Sequence, residues 1–340
     1  MSATVKFYHV FRSCLKRKDL QRSDRIVISA IMLTGVERKA VIAGTGFSDR
    51  AENFEVLETD YGAVTFAHLD LGGKDVIFVA RHQKLQIPSH VNYRANVQAL
   101  KLLGVNAVYT VSAAGRMAEE VLPGHLVNLG DLAFASTGMR ECTFAEDGAL
   151  ILHTPLAAPF SLGMRETLDQ AWGLARLAVV DLYFQHAGLS VGYHNDGTYF
   201  NSEPPWFNTV VQEEWLRCTV PRIKLIGQTM IPEVPLLREM GIAVASLGMC
   251  TDHSNYPGAV RVSHAGEGGV MDVAEVTAQA ALAVLDHAIR LLPNDFYDAW
   301  ANEVLKNSVH GSQVDMPLLQ TKRPKLAGII QTVIKTIPGA

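Results

Sequence analysis

The sequence contains few cysteines, and they are not arranged to bind a metal or to build a disulfide framework. The 340 residues include four, without a Cys-x-x-Cys pair: Cys14, Cys142, Cys218 and Cys250. Zinc sites and disulfide-rich domains need paired or closely spaced cysteines. Both classes are therefore excluded, and the pattern favours a chain that works in a reducing compartment, the cytoplasm.

Long apolar runs and a net positive charge are also absent. The longest apolar run, residues 26–33, is interrupted by Ser29, whereas a membrane-spanning helix needs about 20 apolar residues. The formal net charge is −4 and the isoelectric point is near 6.3, so no global basic field attracts nucleic acid or an anionic membrane. We therefore expect neither nucleic acid nor a membrane as a partner.

Apolar side chains, by contrast, make up 48% of the sequence and charged ones 19%, which suffices for a sizeable core and excludes a disordered chain. From Lys39 onward, short apolar runs alternate with longer helical patterns, as is typical of an α/β protein. One domain over residues 39–295 is predicted. Its predicted strands span residues 40–43, 76–80, 107–111, 125–129, 225–227 and 243–249. Its predicted helices span residues 91–103, 164–174, 209–218, 234–240 and 273–292.

The two ends of the chain differ from this body. Residues 1–38 are locally basic, but their charges are mixed with apolar residues and do not precede them as in a signal peptide. We expect a poorly ordered extension there, with a targeting arm or a nucleic-acid contact as the alternative. Residues 296–340 are predicted to form a helical tail that packs on the body or on a neighbouring subunit, because the apolar residues between Leu326 and Ile334 share one helix face.

Three groups of small or basic residues follow predicted strands: Gly44-Thr45-Gly46, Arg81-His82 and Ser112-Ala113. Glycines let backbone N–H groups approach an anion, and an arginine can bind an oxyanion with two N–H groups. Ligands of open α/β sheets bind at the carboxyl ends of strands. Each group alone also fits tight packing of a turn, but the three together predict a phosphate site. The first lacks the third glycine of a dinucleotide fingerprint and the Gly-Lys-Ser/Thr of a P-loop, so phosphate is favoured as a substrate.

Two further motifs are Gly197 to Asn208 and Gly227 to Val234, the latter leading to Thr251-Asp252-His253. Together with Gly44-Thr45-Gly46, Arg81-His82 and the helix start at residues 88–96, they resemble the trimeric purine nucleoside phosphorylases, and within these the 5′-methylthioadenosine phosphorylases. The resemblance runs from about Ala40 to Leu292. It implies an α/β single-domain phosphorylase/hydrolase-like fold with a mixed central sheet flanked by helices. It also implies a homotrimer without metal or organic cofactor, in which inorganic phosphate is a co-substrate.

The resemblance further implies roles for individual residues. The phosphate-binding residues are Thr45, Gly46, Arg81, His82, Ser112, Ala113 and Thr229. The base-binding residues are Phe207, Asn208, Asp252 and Ser254, with Phe207 stacked on the purine and Asp252 as the catalytic acid. The ribose and 5′-pocket residues are Gln228, His153, Val273 and Val276, with His153 donated to a neighbouring subunit. From the residues alone, Asp252 could instead cap a helix, and Trp206 and Phe207 could be core.

The chemistry requires residues of these types. Cleaving an N-glycosidic bond builds positive charge at the anomeric carbon and negative charge on the leaving purine. Phosphate beneath the sugar offsets the first, and a carboxylic acid at N7 offsets the second. An aspartate at position 252, where 6-oxopurine enzymes have asparagine, favours a 6-aminopurine. The predicted reaction is phosphorolysis of 5′-methylthioadenosine or a related 5′-modified purine nucleoside to the free purine and a pentose 1-phosphate.

Four departures from the family pattern fall in this site. The loop after His82 is short, Glu203-Pro204-Pro205-Trp206-Phe207 replaces Glu-Gly-Pro-Arg-Phe, Gln228 replaces a methionine, and Ser254 replaces a second aspartate. Three alternatives therefore stay open. The chain is a 6-oxopurine nucleoside phosphorylase, or a nucleosidase that uses water, or a phosphorylase-fold protein with weak or lost activity that binds a purine or nucleoside.

Overall fold

A computed structural model describes residues 37–47, 51–82, 86–135, 142–145, 147–184, 186, 189–259, 269–309 and 314–337. The predicted N-terminal extension lies outside the described residues except for Glu37 and Arg38. The chain from Glu37 onward forms one compact unit. Among the described helices, none combines the length and the apolar character that a membrane crossing requires.

A mixed sheet forms the centre of the described chain, as predicted. Its eleven strands are β1 (Arg38–Ala43), β2 (Glu55–Thr59), β3 (Gly62–Leu71), β4 (Lys74–Ala80), β5 (Val105–Arg116), β6 (Leu126–Asn128), β7 (Asp131–Phe134), β8 (Tyr193–His194), β9 (Thr198–Asn201), β10 (Ile223–Gly227) and β11 (Ala243–Asp252). Strand β1 runs parallel to β4 and β5, and β5 runs parallel to β11. The carboxyl ends of these four strands therefore meet at one edge of the sheet.

The remaining pairings extend the sheet on both sides. Strands β2, β3 and β4 form an antiparallel meander. The end of β5 pairs antiparallel with β10, which continues through β9 to β7 in parallel. Strand β11 also pairs antiparallel with β6, which pairs with β8. The long β5 thus has three neighbours and carries the branch point of the sheet.

Eight α-helices surround the sheet within the described residues. They are α1 (Tyr93–Leu102), α2 (Leu162–Phe184), α3 (Val210–Thr219), α4 (Met230–Glu239), α5 (Val270–Leu291), α6 (Ala299–Ser308), α7 (Met316–Lys322) and α8 (Pro324–Ile334). Helices α2 and α5 pack on each other, and α5 also covers β3 and β11. Strands β1 and β11 are almost wholly buried, which explains why they read as continuous apolar runs in the sequence.

Two of the predicted elements end five residues or more too early. The helix predicted to end at Leu174 continues to Phe184, and its outer face carries exposed Leu174, Leu177 and Phe184, which hide the helical period of the buried face. The strand predicted to end at Val111 continues to Arg116 because β10 and β11 supply hydrogen-bonding partners for its second half. Ser112-Ala113 is therefore strand and not a turn.

The C-terminal tail contacts the body of its own chain. The Arg323 Nε lies 2.8 Å from an oxygen of Asp147, and the Asp60 carboxylate accepts hydrogen bonds from the Leu326 and Lys325 backbone N–H groups at 2.7 and 3.2 Å. Asp60 thus caps α8 from the turn between β2 and β3.

Candidate active site

The glycine turn after β1 lies against the Arg81-His82 pair after β4. The Arg81 backbone N–H donates to the Ala43 carbonyl at 2.8 Å. A Cβ atom at Gly44 would lie 2.7 Å from His82 Cδ2 and 3.3 Å from Arg81 Nη1. The first two of the three predicted groups therefore meet.

Gly46 holds the same turn against helix α5. Its φ of +85° lies in the left-handed region that favours glycine, and a Cβ atom there would lie 2.6 Å from the Ala278 Cβ. The half-buried Thr45 stands between these two glycines, so its backbone is fixed from both sides.

Arg81 is buried and held by a carboxylate. Its Nε and Nη2 each donate to a Glu233 oxygen at 2.7 Å, and Nη1 donates to the Val111 carbonyl at 2.9 Å. Burial alone would lower the pKa of Arg81, but the charge and hydrogen bonds of Glu233 outweigh it and hold the pKa above its ordinary value. One N–H on Nη1 and one on Nη2 remain for a ligand.

His82 is neutral near pH 7. Burial, followed by the neighbouring charge of Arg81, lowers its pKa from 6.5 to about 4. Its Nδ1 lies 2.8 Å from the Gln86 carbonyl oxygen and therefore carries the ring proton. The other ring nitrogen, Nε2, faces Gly44 as an acceptor. His82 can thus accept a hydrogen bond from a protonated phosphate oxygen.

A cluster of hydroxyl groups completes this edge. The Ser112 Oγ lies 2.6 Å from the Thr229 Oγ1 and 3.4 Å from the Tyr199 hydroxyl. A Cβ atom at Gly227 would lie 3.2 Å from the Ala113 carbonyl oxygen. The residue before Ser112 is Val111, whose carbonyl binds Arg81, so the phosphate-binding residues predicted from the sequence converge.

Asp252 is the last residue of β11 and pairs with Gly115 of β5. Its Oδ1 accepts from the Ser254 N–H at 2.7 Å, and its Oδ2 accepts from the Thr251 hydroxyl at 3.0 Å. The side chain is half-buried, and each carboxylate oxygen keeps a further acceptor position. The alternative that Asp252 caps a helix is wrong, since the residue ends a strand.

The loop after Asp252 is tied to helix α3 through a buried carboxylate. Glu213, 1% exposed, accepts from the Ser254 Oγ at 2.6 Å and from the Asn255 backbone N–H at 3.0 Å. The Asn255 amide also donates to the Asn208 carbonyl at 2.9 Å. These contacts bring Ser254, Asp252 and Asn208 together.

The aromatic pair beside Asn208 is exposed. Trp206 and Phe207 are 67% and 78% exposed, so the alternative that they are core residues is wrong. The Gln228 amide donates to the Trp206 carbonyl at 2.7 Å. Gln228 therefore links this segment to the neighbouring Thr229 and the hydroxyl cluster.

The predicted 5′-pocket residues are not gathered with the others. His153 is exposed, its carbonyl accepts from the Ser308 hydroxyl at 3.0 Å, and it lines an open cavity of about 740 Å³ with Pro235 and Glu239 of α4. None of these contacts joins it to Asp252 within the described chain. Val276 belongs to the main hydrophobic core, and Val273 is buried near the start of α5.

The sequence did not indicate a role for two residues of the site, Glu233 and Glu213. Glu233, which pairs with Arg81, stands inside the Pro232-Glu233-Val234 motif, and that position was the available signal. Glu213, which binds Ser254, carries no local signal, because its hydrogen-bond partners Ser254 and Asn255 lie 41 and 42 residues away in the sequence.

The fold is that of the phosphorylase class of α/β proteins. The chain belongs to the phosphorylase superfamily, whose family model matches residues 38–290. The family that the motifs resemble is thus confirmed.

Relatives include S-methyl-5′-thioadenosine phosphorylase of Hyperthermus butylicus, 34% identical over 225 residues that cover 63% of this chain and 75% of the relative. The Anopheles gambiae protein of the same name is 29% identical, and the match covers 78% of this chain and 91% of that relative. A solved methylthioadenosine phosphorylase from an antarctic soil metagenomic library has a TM-score of 0.72 at 26% identity, with 87% of this chain and 99% of that chain covered. A variant of the Schistosoma mansoni adenosine/methylthioadenosine phosphorylase, solved in complex with methylthioadenosine, has a TM-score of 0.69 at 25% identity. The match covers 81% of this chain and 99% of that chain.

Proposed function

We propose that the chain cleaves the N-glycosidic bond of 5′-methylthioadenosine or a related 5′-modified purine nucleoside by phosphorolysis, releasing the purine and a pentose 1-phosphate. The observation that carries this is the meeting of the glycine turn, Arg81 and the Ser112–Thr229 hydroxyl pair at the edge where Asp252 ends its strand. The relatives add support, since several are S-methyl-5′-thioadenosine phosphorylases.

In this mechanism the phosphate receives hydrogen bonds from the free N–H groups of Arg81, from the turn of Thr45 and Gly46, and from Thr229. It lies below the sugar and stabilises the positive charge at the anomeric carbon. The bond from that carbon to the purine breaks with its electron pair passing to the base, and a phosphate oxygen bonds to the carbon. Asp252 supplies the proton that N7 takes up, which stabilises the leaving purine.

The remaining residues position the nucleoside. Phe207 stacks on the purine, Asn208 and Ser254 contact its edge, and Gln228 lies under the ribose. The exposed His153 reaches the site of a neighbouring subunit in a homotrimer. Val273, near the start of α5, borders the apolar 5′ side, whereas Val276 packs in the main hydrophobic core and takes no part. The protein needs phosphate but no cofactor, and it acts in the cytoplasm.

A nucleoside panel assayed with and without phosphate tests the proposal. We expect adenine release from 5′-methylthioadenosine that depends on phosphate, with the pentose 1-phosphate as the second product. Adenine release that is indifferent to phosphate would instead identify a nucleosidase.

One observation favours a second candidate, a nucleoside-binding protein with weak phosphorolysis. Glu233 and Val111 already occupy several N–H groups of Arg81, which leaves fewer for phosphate. Purine binding by calorimetry, without turnover of any nucleoside, would support this candidate.

A further inference from the structure

The second half of helix α2 is apolar on two opposite faces. Its inner face, with Leu168, Ala175 and Val179, is buried in the core that α2 shares with α5. On its outer face, Leu177 is 78% exposed and Phe184 is 91% exposed. A helix that is apolar all round is normally buried on all sides, so we expect the outer face to meet another surface.

The exposed apolar residues have the spacing of a helix that pairs with another helix. Leu177, Val180 and Phe184 stand three and four residues apart, and Gly173 continues the series four residues before Leu177. This alternation of three and four defines the apolar contact line of a two-stranded coiled coil. Leu174, 59% exposed, widens the line on one side.

Two charged residues flank this contact line on opposite sides. With Leu177 and Val180 at the a and d positions of a heptad, Arg176 and Asp181 occupy the g and e positions, which form salt bridges between helices. Both are exposed, and neither belongs to an ion pair among the residues that the structure describes. In a parallel pair about a twofold axis, Arg176 of each copy faces the partner's Asp181. The face is therefore complementary to itself, as an isologous contact requires.

The size of the apolar patch suits a reversible contact. The side chains of Leu174, Leu177, Val180 and Phe184 present roughly 500 Å² of apolar surface, which is in the range of patches that mark an interaction site on a soluble protein. A stable interface needs about 800 Å² per partner. Two copies of α2 should therefore associate weakly, and the associated fraction should rise with concentration.

We propose that the outer face of α2 is an interface between two copies of this chain, in which Leu177, Val180 and Phe184 pack on their counterparts and two Arg176–Asp181 ion pairs form. Burial of the apolar side chains stabilises the contact, and the ion pairs fix its direction and register. The interface uses none of the residues assigned to the cleft, so its loss changes assembly and not turnover. Combined with the proposed trimer, the twofold contact joins two trimers into six subunits.

A dilution series followed by light scattering tests the apolar part. The wild-type mass should rise from three subunits at low concentration toward six at roughly 100 µM. Leu177→Glu should stay at three, because a charge on the contact line would be buried without a partner. Since Leu177 is exposed, this variant should unfold thermally like the wild type. Val56→Glu, at an exposed position of β2, is the matched control and should associate like the wild type.

The outcomes of this series are distinct. A wild-type mass that does not change with concentration, or a Leu177→Glu variant that associates like the wild type, would overturn the inference and leave phosphorolysis intact. A wild type that goes from monomer to dimer, with Leu177→Glu held as a monomer, would support the interface and remove the proposed trimer.

Charge reversal tests whether the partner is a second copy. Arg176→Asp and Asp181→Arg each place like charges opposite one another, and each should raise the Kd of the contact about tenfold. The double variant restores two pairs of opposite charge and should return to the wild-type Kd, because the two residues face each other across two copies. Single variants with the wild-type Kd, or a double variant as weak as the single ones, would overturn the inference.

Discussion

Asp252 is the residue on which the proposed bond cleavage depends. Its carboxylate is half-buried at the end of β11, and both of its oxygens accept hydrogen bonds from neighbouring residues. Asp252→Asn preserves the shape but removes the acidic proton. We expect kcat for 5′-methylthioadenosine to fall about a hundredfold to ten-thousandfold, with little change in the Kd for adenine. Asp181→Asn, at an exposed position of α2, should retain full activity, and an equally active Asp252→Asn would remove the acid from the mechanism.

Arg81 and Glu233 form a buried ion pair whose loss has a distinct signature. Glu233→Gln leaves the Arg81 charge without its counterion, and breaking such a pair costs about 3 kcal/mol. We expect urea unfolding to show that loss, and saturating phosphate to stabilise the variant more than the wild type, because the anion replaces the missing charge.

The matched control is Glu120→Gln. The exposed Glu120 pairs with the half-buried Lys224 at 3.6 Å, and ion pairs open to solvent contribute about 1 kcal/mol or less. If phosphate stabilises Glu233→Gln no more than the wild type, then Arg81 does not contact the phosphate.

At the scale of elements, the sequence predicted the central strands and most helices. The central strands are continuous apolar runs, and β1, for example, is almost wholly buried. The sequence did not predict β2, β3, β7, β8 and β9. The residues of β2, for example, are mostly exposed. The sequence also did not predict which residues pair with the site residues. Glu233 lies 152 residues from Arg81, and only the folded topology brings such positions together.

Helix α8 depends on a cap supplied by another element. Asp60, in the turn between β2 and β3, binds the first backbone N–H groups of α8 and also accepts from the Gln98 amide at 2.8 Å. Asp60→Ala should destabilise the tail by about 1 kcal/mol or more. Hydrogen exchange at residues 324–334 should accelerate while exchange in β5 stays slow. Asp70→Ala, exposed on β3, should leave the tail unchanged, and unaltered exchange in Asp60→Ala would show that the cap is dispensable.

For the whole molecule, histidines held neutral link stability to pH. Burial lowers the pKa of His82 and of His125 from 6.5 to about 4. Between these values the unfolded chain binds more protons than the folded one, so stability falls as pH drops from about 6.5 to about 4 and is unaffected by these groups above that window.

Urea unfolding at several pH values measures this. His82→Gln should lose less stability than the wild type between pH 6.5 and 4, because one of the groups is removed. His90→Gln, at an exposed position, should follow the wild type. An identical pH dependence in His82→Gln would mean that His82 is not held neutral.

The proposed trimer makes each active site a product of two subunits. His153 is exposed and its contacts lead away from Asp252, so a site that uses both residues must take His153 from a neighbour. His153→Ala should then lower kcat/KM for 5′-methylthioadenosine about tenfold. Both this variant and Asp252→Asn are therefore expected to lose activity on their own.

Mixing the Asp252→Asn and His153→Ala variants tests whether His153 acts in the site of a neighbouring subunit or in that of its own. In a closed ring of randomly mixed subunits, about a quarter of the sites combine an intact Asp252 with an intact His153. Co-expressed variants should therefore exceed the mean activity of the two pure variants, with light scattering reporting a trimer. Activity equal to that mean would assign His153 to its own subunit or to no site at all, because reassortment can restore function only when the two residues come from different chains.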